Sequence, residues 1–208
     1  MQDRPRLFRD RSALRERETE LGASNVAPLN EWVRELRARL GAGAIVPWFD
    51  PADGGIRARI LWLLEAPGPK ATKERGGSGI VSCNNNDQTA QNTWETRVEA
   101  QVSRLDVVHW NAIPYYLGTS SRIRSHVPSD VSAVGPLMAE LLALLPRLQV
   151  VVLGGSAARK TWDKFGPKDL KTIDSPHPSP TNVNTRPGTR EAIVKAWRSA
   201  QAVLETKN

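Results

Sequence analysis

Short apolar runs alternate along the chain with apolar stripes at helical spacing. The run Ile60–Leu64 is continuous and is closed by Pro67, Gly68 and Pro69, which is typical of a strand buried on both faces. Three further strands are predicted, over residues 106–113, 149–153 and 171–174. Helical stripes lie between and after these segments, so the order predicts an α/β fold with a parallel sheet between layers of helices.

The helical stripes also give the approximate bounds of the helices. In chain order we predict one over Leu29–Leu40, one capped by Asp87, one within residues 128–145, one after Gly154-Gly155-Ser156 and one from near 185–187. The helix after Asp87 is expected to bury a stripe of Trp94, Val98, Val102 and Leu105. Pro136 is expected to kink or restart the helix that contains it.

The first 25 residues carry only widely spaced large apolar side chains: Leu7, Phe8, Leu14 and Leu21. We therefore expect residues 1–25 to form a weakly packed or partly helical N-terminal extension. The remaining residues, 26–208, are expected to form one domain, because this length suffices for a single hydrophobic core.

Charge and cysteine content narrow the functional class. The chain has 29 Lys and Arg residues against 22 Asp and Glu residues, a formal charge of +7. This excess favours a polyanionic partner, although a merely soluble basic protein has the same composition.

The single cysteine, Cys83, excludes an internal disulfide and an iron–sulfur site built from cysteines alone. It suits a reducing compartment, and no apolar run or signal segment suggests a membrane, so we expect a cytoplasmic, nucleoid-associated monomer.

Polar side chains stand where three of the predicted strands end. Glu65 follows the first strand, Asn111 ends the second, and His177 follows the fourth. The carboxyl ends of parallel strands share one edge of a sheet, where ligands bind in folds of this class. Each residue alone is as consistent with an ordinary turn, but their recurrence at one edge is how catalytic sites are assembled on this architecture.

The segments around these residues resemble the motifs of a known family. Glu65-Ala-Pro-Gly68 resembles the first motif of the uracil-DNA glycosylase superfamily, in the form used by its iron–sulfur branches, and His177-Pro-Ser-Pro180 is similar to its last motif. Asn111 matches the base-reading asparagine, and Val150–Gly154 with the following alanines resembles the strand and helix before the last motif. The resemblance covers about residues 60–197. It implies a three-layer α/β/α sandwich with a central four-stranded parallel sheet.

The chain departs from the family pattern at several positions. Ala66 stands where one branch has a water-positioning aspartate, and Thr181 stands where the best-known branch has a leucine that enters the base stack. One cysteine is present instead of the four of the iron–sulfur branches, and no Phe lies between Phe49 and Phe165. The resemblance is therefore to an outlying branch, for which we expect neither a metal nor another cofactor.

The resemblance implies a glycosylase that flips uracil, or another deaminated or damaged base, out of single- or double-stranded DNA and hydrolyses its N-glycosidic bond. Asn111 would read the base, and Ala66, Pro67, Gly68 and Asn86 would complete the base-binding pocket. His177 would stabilise the departing base, with Glu65, or as second choice Asp87, acting on the water or sugar. Ser179 would grip a phosphate. The expected DNA contacts are Lys70, Lys73, Arg75, Arg122, Arg124, Thr181 and Arg186.

Three alternatives remain at the level of sequence. A non-catalytic binder of damaged or abasic DNA could share the same fold. Gly154-Gly155-Ser156 could belong to a nucleotide-binding enzyme, but it lacks a full phosphate-loop pattern. The basic loop Arg122–His126 resembles one in a branch whose histidine attacks the sugar covalently. Because His126 is displaced by about one residue, we expect ordinary turnover with water.

Overall fold

A four-stranded parallel sheet lies at the centre of the computed structural model, which describes residues 3–41, 43–118 and 133–206. In chain order the strands are β1 (Trp48–Phe49), β2 (Ile60–Leu64), β3 (Ile80–Val81), β4 (Val107–Asn111), β5 (Val150–Gly154) and β6 (Lys171–Ser175). The central sheet has the order β4-β2-β5-β6, and β1 and β3 form a separate parallel pair. The predicted four parallel strands are confirmed.

The helices follow the strands in the predicted alternation. They are α1 (Arg11–Thr19), α2 (Ala27–Leu40), α3 (Gln88–Glu99), α4 (Val134–Ala143), α5 (Ser156–Phe165), α6 (Pro180–Thr185) and α7 (Thr189–Glu205). The last predicted helix is α7, which begins just after Gly188, whose φ of +78° favours glycine, whereas the short α6 before it was not predicted. Pro136 lies in the first turn of α4, where its missing N–H has no acceptor within the helix. The rest of the predicted 128–145 segment lies partly outside the described residues.

Both faces of the central sheet are covered, because successive strand residues point to opposite sides. Leu61 and Leu63 of β2 belong to the core shared with α2, α4 and α5. Ile60 and Trp62 belong to the core shared with α7, and α7 in turn contacts α3. This is the predicted α/β/α sandwich. No helix among the described residues is both long and apolar enough to cross a membrane.

The N-terminal segment packs closely on the domain, so the prediction of a weakly packed extension is wrong, whereas its partly helical character is confirmed. Leu7, Phe8 and Leu14 are buried in a cluster with Ile80. The Asp3 carboxylate accepts hydrogen bonds from Arg97 at 2.7 Å and from Arg104 at 2.6 Å. Polar contacts, which hydrophobic spacing does not reveal, hold much of this segment. The division at residue 25 stays a prediction.

The predicted apolar stripe of α3 is also wrong. Val98 is 43% exposed, and Leu105, beyond the end of the helix, is 68% exposed. The helix instead buries mainly polar side chains: Asn92, Thr93, Thr96 and Arg97. The Thr93 hydroxyl donates to the Thr89 carbonyl, and the Asn92 amide donates to the Pro178 carbonyl at 2.9 Å. Hydrogen bonds therefore tie α3 to the loop that carries His177.

Candidate active site

A cavity of about 300 Å³ opens at the carboxyl edge of the central sheet. Its lining includes several of the predicted site residues: Ala66, Pro67, Gly68, Asp87, Asn111 and His177. Two of its walls are named here. The strand-end wall consists of Ala66–Gly68, Asn111 and His177, and the asparagine wall consists of the segment Ser82–Asp87. The structure thus brings Asn111 of β4 and His177 after β6 into one space with the turn that follows β2, whereas Glu65 does not line this space.

The register of the parallel strands positions Asn111 at the edge of the sheet. It pairs with Leu64, the last residue of β2, and the pairing continues beyond both strands, because the N–H of Ala112 donates to the Leu64 carbonyl at 2.8 Å. The side chain of Asn111 is buried, and its amide has no hydrogen-bond partner within the described residues. Its donor and its acceptor are both available to a ligand in the cavity.

His177 has one ring nitrogen committed to the backbone. The N–H of Ser179 donates to Nδ1 of His177 at 3.1 Å, which leaves Nε2 as the protonated nitrogen of the neutral ring. Burial lowers the pKa of His177, and the nearby Glu65 carboxylate offsets this only in part. The neutral ring is therefore the form present at neutral pH, with Nε2–H as a hydrogen-bond donor.

Gly155 allows the His177 loop to approach β5. A Cβ atom at Gly155 would lie 2.9 Å from Cβ of His177, and its φ of +99° is unfavourable for other residues. The carbonyl of His177 also accepts a hydrogen bond from the Asn182 amide at 3.2 Å. Close backbone packing and this bond fix the position of the ring.

The two carboxylates assigned to the reaction lie in different places. Asp87 lines the cavity, and it caps α3 by accepting a hydrogen bond from the N–H of Ala90 at 2.9 Å. Glu65 is half-buried and does not line the cavity, although its charge acts on the pKa of His177. The structure therefore brings Asp87, and not Glu65, directly to the cavity.

The asparagine wall is built from buried polar groups. Ser78 donates to Oδ1 of Asn85 at 2.6 Å, and Asn85 donates to the Ile80 carbonyl at 2.9 Å. Asn85 lines the cavity, whereas the predicted Asn86 lies on an adjoining groove. Cys83 also lines the cavity, and burial raises the pKa of its thiol to about 12, so it remains protonated.

Sequence reasoning overlooked the inner end of the cavity, where Trp62 and His109 lie side by side in the β2–β4 pairing. Nδ1 of His109 lies 2.8 Å from Oδ2 of Asp53. Burial alone would raise the pKa of Asp53, but His109 and Arg104 outweigh it and lower the pKa to about 2. One signal was available: His109 is two residues before Asn111, so strand alternation puts both on the same face.

The predicted DNA contacts are spread around the cavity. Lys70 lines it, and the exposed Lys73 pairs with Glu18 at 2.8 Å. Arg75 is partly exposed on the same loop. Arg186 lies with His177 in a second hollow beyond the histidine. Thr181 is exposed in the first turn of α6, and the hydroxyl of Ser179 caps that helix by accepting from the N–H of Asn182 at 3.3 Å.

Three residues singled out in the sequence, Arg122, Arg124 and His126, lie outside the described residues. In the described part of the chain, no group of three or more His, Cys, Asp or Glu side chains could hold a metal ion. The asparagine wall and the strand-end wall supply amide, imidazole and carboxylate groups.

Comparison with known proteins agrees with this geometry. No curated protein matches the chain significantly. A family model, described as the uracil DNA glycosylase superfamily, matches residues 51–201. The match contains the central sheet and every described residue of both walls, and it leaves the N-terminal segment outside. The chain belongs to the uracil-DNA glycosylase superfamily.

Proposed function

We propose that this protein is a DNA glycosylase that flips uracil out of DNA and hydrolyses its N-glycosidic bond. Membership of the superfamily suggests glycosylase activity on DNA. The observation that carries the choice of base is the cavity in which the Asn111 amide, without a partner in the described residues, faces the same space as His177. A base inside a duplex cannot reach such a cavity, so it must leave the stack.

Asn111 supplies the recognition of uracil. Its amide nitrogen can donate to O4 of the base while its amide oxygen accepts from N3–H. Cytosine presents the opposite arrangement, an amino group at C4 and an unprotonated N3, so one orientation of the amide distinguishes the two bases. A buried site that depends on such hydrogen bonds discriminates strongly, because the wrong base leaves polar groups unpaired.

His177 supplies stabilisation of the leaving group. When the bond between the sugar carbon and N1 of uracil breaks, its electron pair stays on the base, and positive charge develops on the sugar. The Nε2–H of neutral His177 can donate to the negative oxygen of the departing base. Burial keeps the ring neutral, so no proton has to be transferred before the bond breaks.

A carboxylate must act on the sugar or on the attacking water, because Ala66 offers no polar group. Asp87 is the better placed, since it lines the cavity. Its charge can stabilise the cationic sugar, and it can accept the proton released when water adds to the sugar carbon. Glu65 then acts at longer range, through the electrostatic potential at His177.

The test is incubation with an oligonucleotide that contains one uracil, followed by alkali to cleave abasic sites, with EDTA present. We expect uracil-dependent cleavage in single- and double-stranded DNA. Asn111→Asp should lower kcat/KM on uracil by about 5- to 150-fold, because a carboxylate cannot donate to O4 and a lost hydrogen bond costs about 1–3 kcal/mol. Asn184→Asp on α6 adds the same charge but lines no cavity, so it is the matched control.

The competing function is a binder of abasic or damaged DNA without catalysis. The same preparation distinguishes it, because such a protein retains an abasic oligonucleotide but releases no uracil. Absence of uracil release by well-folded protein would overturn the proposal.

A further inference from the structure

A small basic groove adjoins the mouth of the cavity and is formed partly by the N-terminal segment. It has a volume of about 90 Å³, against about 300 Å³ for the cavity. Arg9 and Arg11 line it on one side, and Lys70 and the tight turn Gly76–Ser78 line it on the other. Lys70 and Asn85 border both spaces. A group bound in the groove therefore lies directly beside whatever occupies the cavity.

The cations of this groove are not neutralised by the protein. Arg9 and Arg11 are exposed, and neither side chain has a hydrogen bond or ion pair within the described residues. None of the described residues that line the groove is acidic. Asp10 lies between the two arginines in sequence, but its carboxylate accepts from the N–H of Ser12 and so caps α1. The described lining of the groove therefore carries three cations and no carboxylate.

The backbone that carries Arg9 and Arg11 is held by buried contacts. Phe8 is buried, and its N–H donates to the Asn84 carbonyl at 3.1 Å. Further along the segment, Arg17 is 2% exposed and binds the buried Asp50 carboxylate. Upstream, Asp3 binds Arg97 and Arg104. The two exposed arginines thus project from a backbone fixed at three points.

The opposite side of the groove is equally well defined. The N–H of Ser78 donates to the Lys70 carbonyl at 2.9 Å. A Cβ atom at Gly77 would lie 2.5 Å from that same carbonyl oxygen, so only glycine permits the turn to close. The backbone of both walls is therefore fixed before an anion enters, and only the exposed basic side chains have to be ordered.

We infer that this groove binds a backbone phosphate of the DNA strand beside the flipped nucleotide, and that Arg9 and Arg11 extend the DNA-binding surface beyond the domain matched by the family. The groove is too small for a base and suits a single phosphate. The inference rests on the proposed function for the identity of the polyanion, but it does not require catalysis. Lys70, a predicted DNA contact, and Asn86, which was predicted to bind the base, belong to the same surface, whereas Lys73 is already paired with Glu18.

The first experiment measures binding of undamaged, labelled DNA, single-stranded and duplex, between 50 and 200 mM salt. In the double variant Arg9→Gln/Arg11→Gln, the slope of log Kd against log salt should fall by about 0.9 for duplex and by about 0.7 for single strands, which is the contribution of one phosphate contact. Such a change makes the loss of affinity about threefold larger at 50 mM than at 200 mM salt. The matched control is Arg147→Gln/Lys195→Gln, which removes two exposed cations that lie outside the groove and have no hydrogen bond or ion pair within the described residues, and it should leave the slope unchanged.

The second experiment locates the phosphate. Each phosphate flanking a non-hydrolysable abasic analogue is replaced in turn by an uncharged methylphosphonate, and Kd is measured for the wild type and the double variant. We expect one or two positions to weaken binding of the wild type by about tenfold and to have little effect on the double variant.

The outcomes separate this inference from the proposed function. An unchanged salt slope, or an identical methylphosphonate pattern in both proteins, would show that the groove does not bind a phosphate, even if uracil is excised. A reduced slope together with a shifted pattern supports it even if no uracil is released. Neither arginine side chain is bonded within the described residues, so the double variant should keep the wild-type Tm. A fall in Tm of both this variant and its control would instead indicate a general effect of charge.

Discussion

The two walls of the cavity are held in place by different forces. The strand-end wall rests on the apolar strands β2, β4 and β5, whose side chains are almost entirely buried on both faces. Behind the asparagine wall lies a network of charged groups instead: Arg17, Arg97, Arg104, Asp3, Asp50 and Asp53. The first wall follows from hydrophobic periodicity along neighbouring strands. The second depends on ion pairs between segments far apart in the chain.

This difference has an energetic consequence. Arg104 is 7% exposed and bonds to Asp3, Asp50 and Asp53, with Nη1 also donating to Asn84 at 2.6 Å. Buried ion pairs repay their desolvation only when every partner is present, so the loss of one member leaves charges buried without compensation. The strand-end wall contains no comparable pairing, and its polar residues can be changed at lower cost to folding.

The largest expected effect is therefore on stability, from Arg104→Gln. The free energy of unfolding should fall by about 3–5 kcal/mol, because three carboxylates lose their shared cation. Urea denaturation measures it. The matched control is Arg159→Gln, since Arg159 pairs with Asp174 at 3.2 Å while both side chains are about half exposed. Such surface pairs contribute about 0–1 kcal/mol. Similar losses in both variants would show that the buried network has no special role.

The strand-end wall should respond in the opposite way, with a loss of activity and little loss of stability. His177→Ala removes the donor to the departing base, and kcat should fall by about 100- to 1,000-fold, as for other donors to a developing anion. The urea midpoint should stay close to that of the wild type, since the one hydrogen bond of the ring within the described residues is that from the Ser179 N–H. Unaltered single-turnover excision of uracil by this variant would remove His177 from the mechanism.

The strand-end wall could be predicted from the sequence to a greater extent than the asparagine wall, because the two walls are held by different forces. Glu65, Asn111 and His177 could be placed at one sheet edge because parallel strands end together, and Ile60–Leu64 and 149–153 have the continuous apolar runs of buried strands. Of the asparagine wall, Asn86 and Asp87 were assigned to the site, but the charged network behind the wall was not predicted. Its partners Asp3, Asp50 and Arg104 are separated by up to about a hundred residues, and charged side chains in a sequence are normally assigned to the surface. For the same reason α3 was given an apolar stripe, although it buries polar residues.

A smaller effect is expected from pH acting on Asp53. Its pKa in the folded protein is about 2, below the ordinary value of 3.8. Between these values the unfolded chain binds more protons, so the stabilisation is complete above about pH 4 and is lost as the pH falls towards 2. Asp53→Asn should be less stable than the wild type at neutral pH, and the difference should shrink by about 1 kcal/mol between pH 7 and pH 3. Urea denaturation at pH 7, 4 and 3 measures it, and a constant difference would show that Asp53 is not held ionised by the network.

The smallest expected effect is that of substitutions at Ser179. Different results are expected if its hydroxyl binds a phosphate and if it only caps a helix. Its hydroxyl accepts from the N–H of Asn182 at the start of α6, so Ser179→Ala should cost about 1 kcal/mol of stability through loss of the cap. Ser179→Asp keeps a capping acceptor but adds negative charge where a phosphate was expected. We therefore expect the Asp variant to retain its urea midpoint and to bind DNA more weakly than the Ala variant, with the gap closing as salt rises. If both variants bind DNA as the wild type does, the hydroxyl serves the helix alone, and the phosphate contact assigned to Ser179 is wrong.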